Sequence, residues 1–260
     1  VNGTFGQYGT GYEWGKLAVR LNQRFNKVEN RAKVYHIFGQ MVLPWQKHYE
    51  ESLPYAEDAY KYGVETGDLI YGGFAAIYLA WVPVIIGHPI EESLDRCKQG
   101  LQFYDRIKDL HRWMLVMGTQ YLQALQGKTH ELSSLTDDTL NEATVLQQCE
   151  EQQATVGYFM YWYCKIILYY LQGKYDKILP LVAKINEIKH ILQGTIFEVD
   201  IVLYHSLALI ENLSTGPAEH EAEHNNTLET NLQLLKVWAE NAPENFRHKY
   251  LLVEAEKAAK

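Results

Sequence analysis

Cysteine is scarce in these 260 residues: Cys97, Cys149 and Cys164 are three, an odd number, and no two form a CxxC pair. That excludes a disulfide framework and a thiolate zinc site, and leaves single buried thiols in a reducing, cytoplasmic setting as the expectation. Positive charge is also in deficit. Lys and Arg number 24 against 32 Asp and Glu, a net charge of −8. No window gathers a basic face, so a nucleic-acid partner is excluded. The early glycines (Gly3, Gly6, Gly9, Gly11 and Gly15) match neither GxGxxG nor GxxxxGK[ST], and no strand precedes them. Close helix packing is their expected use. A basic-then-apolar leader is missing, the first residue is Val, and Ala258-Ala-Lys260 falls inside an unfinished helical pattern. The chain is therefore expected to be one helical domain over 1–260, cut from a longer polypeptide.

Long apolar runs are few. Leu69 to Gly87 carries no charge and reaches membrane-spanning length. Gly72, Gly73, Pro83 and the polar-tipped rings of Tyr71, Tyr78 and Trp81 interrupt it, and no Lys or Arg stands close outside either end. A helix buried on all sides is expected there, not a membrane span.

What is present is a strong helical rhythm. A hydrophobic share of 47% with 22% charged residues is ordinary for a globular chain. Nineteen Tyr and six Trp suit the gaps between helices. Trp14, Leu17, Ala18, Leu21 and Phe25 line one helical face; a second helix is expected over 30–41, closed by Pro44, and a third over 45–63. Further helices are expected over 68–86, 90–107, 110–126, 137–152, 154–172, 175–192, 195–213, 221–240 and 243–260. Asp137-Asp138 would favour the start of the fourth of these through the helix dipole. Turns fall at Gly87, Gly127, Gly173 and Gly216, spaced by 40, 46 and 43 residues. The 154–192 hairpin shows the logic. Its return limb places Ile178, Val182, Ile185, Ile188 and Leu192 on one face, and that face needs a like neighbour to cover it. Repetition of such pairs predicts an all-α fold, an αα-superhelix of five to six tetratricopeptide-like pairs, with the extra length in a loop over 131–138.

Trp162, Tyr169, Gly173 and Tyr175 sit where a tetratricopeptide repeat places its Trp, second aromatic, turn Gly and next aromatic, although Lys165 and Ile166 replace its Leu-Gly pair. Two other stretches, Tyr62-Gly-Val-Glu-Thr-Gly-Asp-Leu69 and the 234–256 segment containing Trp238-Ala-Glu-Asn-Ala-Pro-Glu-Asn-Phe246, carry a broader likeness. With them the chain resembles the helical segment of large bacterial multidomain signalling kinases. In that family a Ser/Thr kinase and a P-loop ATPase precede the segment, and GAF and histidine-kinase modules follow it. The resemblance implies an ATP-binding kinase as parent and a non-catalytic interaction and relay role for this stretch. Walker A, His-Arg-Asp, Asp-Phe-Gly and phospho-acceptor motifs are all missing from it.

Two constellations could carry chemistry. His220-Glu-Ala-Glu-His224 matches HExxH, in which His220 and His224 would bind zinc with Glu221 as general base and Glu240 or Glu244 as third ligand. Its flanks, Gly216-Pro-Ala-Glu219 and Asn225-Asn-Thr227, are polar where a metalloprotease needs a buried cleft, so a zinc hydrolase is disfavoured and no metal or cofactor is expected. The remaining histidines (36, 48, 88, 111, 130, 190, 205 and 248) read as helix-surface or capping residues. In the repeat frame, Trp81, Tyr121, Tyr163 and Tyr170 fall on the inner face of first helices, where such stacks bind peptides. Core packing is the competing use of those rings, and a small-molecule sensor pocket among the aromatic helices is a third. Expected partners are thus a protein or peptide, or flanking domains of the same polypeptide.

Overall fold

A computed structural model describes residues 6–215 and 221–260, and among these every regular element is helical. Twelve α-helices follow one another: α1 (Tyr8–Arg24), α2 (Arg31–His36), α3 (Leu53–Thr66), α4 (Leu69–Ile85), α5 (Ile90–Ile107), α6 (Arg112–Leu125), α7 (Glu142–Glu151), α8 (Thr155–Leu171), α9 (Ile178–Glu187), α10 (Ile196–Thr215), α11 (Glu221–Asn241) and α12 (Pro243–Ala259). From α4 onward the boundaries follow the periodicity closely except at α7 and at α9, where the expected 175–192 helix is an α-helix over Ile178–Glu187 flanked by 3-10 turns at Tyr175–Lys177 and Lys189–Ile191. Gly67, Gly87, Gly127 and Gly173 all take positive φ, the conformation that stops a helix without a Cβ clash. The turn expected at Gly216 lies outside the described residues.

Three expectations are corrected. The helix over 45–63 is broken: a π-helical turn (Ile37–Val42) and a 3-10 turn (Leu43–Trp45) extend α2, and α3 starts only at Leu53 with Pro54 in its first turn. The helix expected from 137 begins at Glu142. There the Asn141 side chain accepts from the N–H groups of Ala143 and Thr144, while Asp137 ties up its own turn through Thr139 and Leu140. The apolar face of α1 looks outward. Trp14 is 64% and Phe25 63% exposed, and α1 buries Tyr8, Gly11, Val19 and Asn22 instead.

Apart from α6 and α7, which the 126–141 loop separates, adjacent helices pack in sequence, and α2, α4, α6, α8, α10 and α12 each also meet the next of that set, so these six form an inner layer. Composition explains the assignment. α4 buries nearly everything from Gly72 to Pro83, and α8 buries Phe159, Met160 and the run from Tyr163 to Leu168. By contrast α5 buries only the face marked by Ser93, Cys97, Gly100, Phe103 and Tyr104. α3 and α4 meet backbone to backbone, where a Cβ on Gly63 would stand 2.6 Å from the Gly72 Cα. Among the described residues no helix is long and apolar enough to cross a membrane.

The two ends of the chain meet. The Trp45 ring lies 5.5 Å from Trp238 and 5.3 Å from Phe246, and Trp238 Nε1 donates to the Tyr8 hydroxyl at 2.9 Å. Buried Asn245 spans the junction. Its side-chain amide donates to the carbonyls of Pro44 and Lys47, both at 2.7 Å, and its Oδ1 accepts from Tyr49 N–H at 3.1 Å. These contacts join segments about two hundred residues apart in the chain. Asn245→Ala leaves two buried backbone groups, the Pro44 carbonyl and the Tyr49 N–H, unpaired, at roughly 1–3 kcal/mol each. Its melting temperature is expected to fall by about 6 °C or more, measured by circular dichroism, whereas Gly9→Ala, which opens onto free space, leaves it unchanged.

Candidate functional site

A cavity of about 590 Å³ opens where inner helices begin. The first turns of α6 (Met114, after His111), α8 (Thr155, Val156) and α10 (Ile196, Phe197) converge on it, and α4 contributes Phe74, Ile77 and Tyr78. Opposite stand His36, Gln40 and Met41 from the end of α2 and its π turn, and the connector over 188–195 covers one side. No Asp, Glu, Lys or Arg lines the cavity. Its size and its apolar wall with a few polar atoms are those of a small-molecule site.

The polar atoms are unusual in being idle. His36 is 8% and Gln40 4% exposed, yet His36 Nδ1 and Gln40 Nε2 have no hydrogen-bond partner in the protein. The His36 ring leans on Tyr71 at 5.5 Å and on Phe74 at 5.4 Å, and Phe74 meets His111 edge-on at 4.9 Å. His111 Nδ1 is engaged by Asp109 at 2.7 Å. The surface or capping role expected for the scattered histidines is therefore corrected at His36, which is enclosed. It does hold at His48, whose ring accepts from Glu50 N–H. Burial lowers the His36 imidazole to about 4, so it is neutral near pH 7.

The aromatic residues singled out by the repeat frame lie one layer deeper. Trp81, Tyr121 and Tyr163 are 2%, 8% and 2% exposed and pack on one another, with Trp81 to Tyr121 at 5.8 Å and Trp81 to Tyr163 at 5.6 Å. These three rings are core and present no surface to a peptide. Tyr170 is half-buried between Tyr175 and Tyr204. Phe197 joins the two layers, 5.0 Å from Tyr163 and 5.6 Å from Phe159, so the cavity rests on the predicted cluster. Its own lining sits about one turn earlier on the same helices: Phe159 precedes Tyr163 by four residues and Ile77 precedes Trp81 by four.

Beneath lies a buried charge. Asp200 on α10 accepts from the Tyr163 hydroxyl at 2.8 Å and pairs with Lys249 on α12. Burial first, then Asp200, raises the Tyr163 phenol far above its ordinary value. A second buried cation, Lys165, faces Glu142 at 3.3 Å and donates to the Ser133 carbonyl, which fastens the 126–141 loop to α8. Here sequence spacing gave no sign of the partners, because the loop separates them. The three cysteines are free and buried, and desolvation pushes the Cys97 thiol to about 12 and the Cys149 thiol to about 11. Of the HExxH residues, His220 lies outside the described residues, Glu221 is exposed and His224 is partly exposed. No group of three His, Cys, Asp or Glu among the described residues could hold a metal ion.

No protein-family profile matches the chain, and no solved structure matches it. It is similar to "Hybrid signal transduction histidine kinase G" of Dictyostelium discoideum, 21% identical over 119 residues. That alignment covers 45% of this chain and 4% of the relative's length. The likeness points to a signalling kinase context at a distance.

Two measurements follow from this geometry. Tyr163→Ala removes a buried ring and leaves Asp200 with fewer partners, so chemical denaturation should show a loss of about 3–5 kcal/mol, well above that of Tyr170→Ala. His36 titrates near 4 when folded and near 6.5 when unfolded, so the unfolded chain binds more protons between those values. Stability is therefore full above pH 6.5 and falls as pH drops towards 4, by on the order of 3 kcal/mol from this residue. Denaturation midpoints at pH 7 and pH 4.5 should show the slope, and His36→Gln should reduce it, leaving the part that comes from His205 and His248, whose imidazoles burial also lowers.

Proposed function

We propose that this chain is a non-catalytic, tetratricopeptide-like interaction and relay segment of a multidomain signalling kinase. In such a polypeptide it would stand between an ATPase and GAF or histidine-kinase modules, and its partner would be protein. The distant likeness to a hybrid histidine kinase supports the signalling context, and the serial helix pairs support the repeat-like architecture. The observation that carries the interaction role is the outward face of α1. Trp14, Leu17, Leu21 and Phe25 recur at helical spacing with exposures of 64%, 41%, 44% and 63%, an apolar stripe of the kind that marks protein contacts.

A partner on that stripe has a direct route inward. The opposite side of α1 carries Tyr8, which stacks on Trp45 at 5.5 Å and receives the Trp238 hydrogen bond. Docking that turns or shifts α1 therefore loads α11 and α12 at once, with no need for increments passed through every pair. The stripe is tested by titrating the chain with the separately expressed regions that flank it in its own polypeptide, followed by calorimetry. Binding that weakens at least tenfold in the double variant Trp14→Asp/Phe25→Asp, with an unchanged melting temperature, is the expected result. Equal binding by the variant, no binding at all, or phosphotransfer by the chain alone would overturn the reading.

A further inference from the structure

The cavity beside α2 has no part in the docking role just described, and its wall selects a ligand class by what it withholds. At about 590 Å³ it falls within the size range of small-molecule sites, and no Asp, Glu, Lys or Arg lines it. Met41, Ile77, Met114, Phe159, Leu192 and Phe197 bring apolar wall from six separate segments of the chain. Water filling such a hollow finds few partners, and an apolar molecule gains affinity by displacing it. The polar atoms of the wall are mostly spent. The Tyr78 hydroxyl is paired with Ser52 at 2.9 Å, the Thr195 hydroxyl donates to the Leu192 carbonyl at 2.7 Å, and His111 Nδ1 is held by Asp109 at 2.7 Å. His36 Nδ1 and Gln40 Nε2 lack partners, but both are enclosed within the wall and offer a ligand nothing to grip.

Charge on the ligand is opposed. A charged molecule entering here loses its hydration and meets no counter-charge on the lining. The starts of α6, α8 and α10 converge on the hollow, and helix starts attract anions. Two of the three already have one. Before α6 the Asp109 carboxylate accepts from His111 N–H at 2.8 Å, and at the start of α10 the Glu198 carboxylate accepts from Gly194 N–H at 2.8 Å. The protein's own side chains thus answer those dipoles, and an anionic ligand is not drawn in.

We infer that this cavity is a binding site for an uncharged, predominantly apolar small molecule, held by burial of apolar surface and not by an ion pair or a polar clamp. The site is separate from the docking stripe of α1, and either role can fail alone.

The test uses the full chain and two fluorescent probes of one skeleton, N-phenyl-1-naphthylamine and its sulfonated form, 8-anilino-1-naphthalenesulfonate. The neutral amine is expected to bind saturably, one per chain, and at least tenfold more tightly than the sulfonate. That gap should persist in about 0.5 M salt, which screens the net charge of −8. The methionines locate the site on the unaltered protein. Of the four, Met41 and Met114 line the cavity, whereas Met117 and Met160 are fully buried and do not. With 13C-labelled methionine methyls, nuclear Overhauser effects from the bound amine should reach Met41 and Met114 and neither of the others. Trp14→Asp/Phe25→Asp, which removes the exposed stripe, should leave the affinity for the amine within twofold. No saturable binding of the amine, equal or tighter binding of the sulfonate, no contact with Met41 and Met114, or loss of binding in the stripe variant would each overturn the assignment.

Discussion

Asn245 holds the two ends of this chain together, and much of the remaining geometry depends on that junction. Its side chain satisfies two carbonyls and an N–H in the segment after α2, where no regular helix supplies partners. Around it Trp45, Tyr49, Trp238 and Phe246 exclude water, which raises the cost of leaving any of those groups unpaired. Helices packed one after another without such a clasp could open or twist by small increments at every interface. With it, the inner helices are constrained at both ends of the series, and α1 lies on the closing seam.

That constraint also explains why charge is tolerated inside. Asp200 and Lys249 come from α10 and α12, helices that the clasp keeps in register, and Tyr163 completes the set from α8. A buried pair of this sort contributes little net stability, but either partner alone is costly, so it penalises any misalignment of those three helices. The cavity sits just above, where three inner helices begin together and a π turn replaces the regular end of α2. Polar atoms without partners survive there because the surrounding packing is fixed by contacts elsewhere.

The helices were legible in the sequence wherever apolar residues recur every three or four positions and a glycine ends the run. Gly67, Gly87, Gly127 and Gly173 marked true stops because only positive φ continues the chain there. Irregular backbone was not legible. The break after Trp45 depends on Asn245, some two hundred residues away, and the late start of α7 depends on Lys165 and Glu142 gripping the loop. Periodicity also cannot give the orientation of a face. The stripe of Trp14 to Phe25 is apolar and helical, yet it is turned outward because the other side of the helix is the one buried, with Tyr8 at the seam and Val19 in the cluster of Tyr35, Phe38 and Leu43.

The candidate site divides in the same way. Aromatic content pointed to the correct helices, but three of the four rings named from the repeat frame are the floor, Tyr170 lies apart, and the lining lies a turn earlier. The idle atoms of His36 and Gln40 had no signature at all, since burial without a partner belongs to the assembled molecule. Sequence alone therefore determined the helical class, most helix boundaries and the turns at Gly87, Gly127 and Gly173, because those rest on interactions within a few residues. Which faces are buried, that the ends meet, and where a hollow remains were decided by packing between distant segments, and no local pattern encodes that outcome.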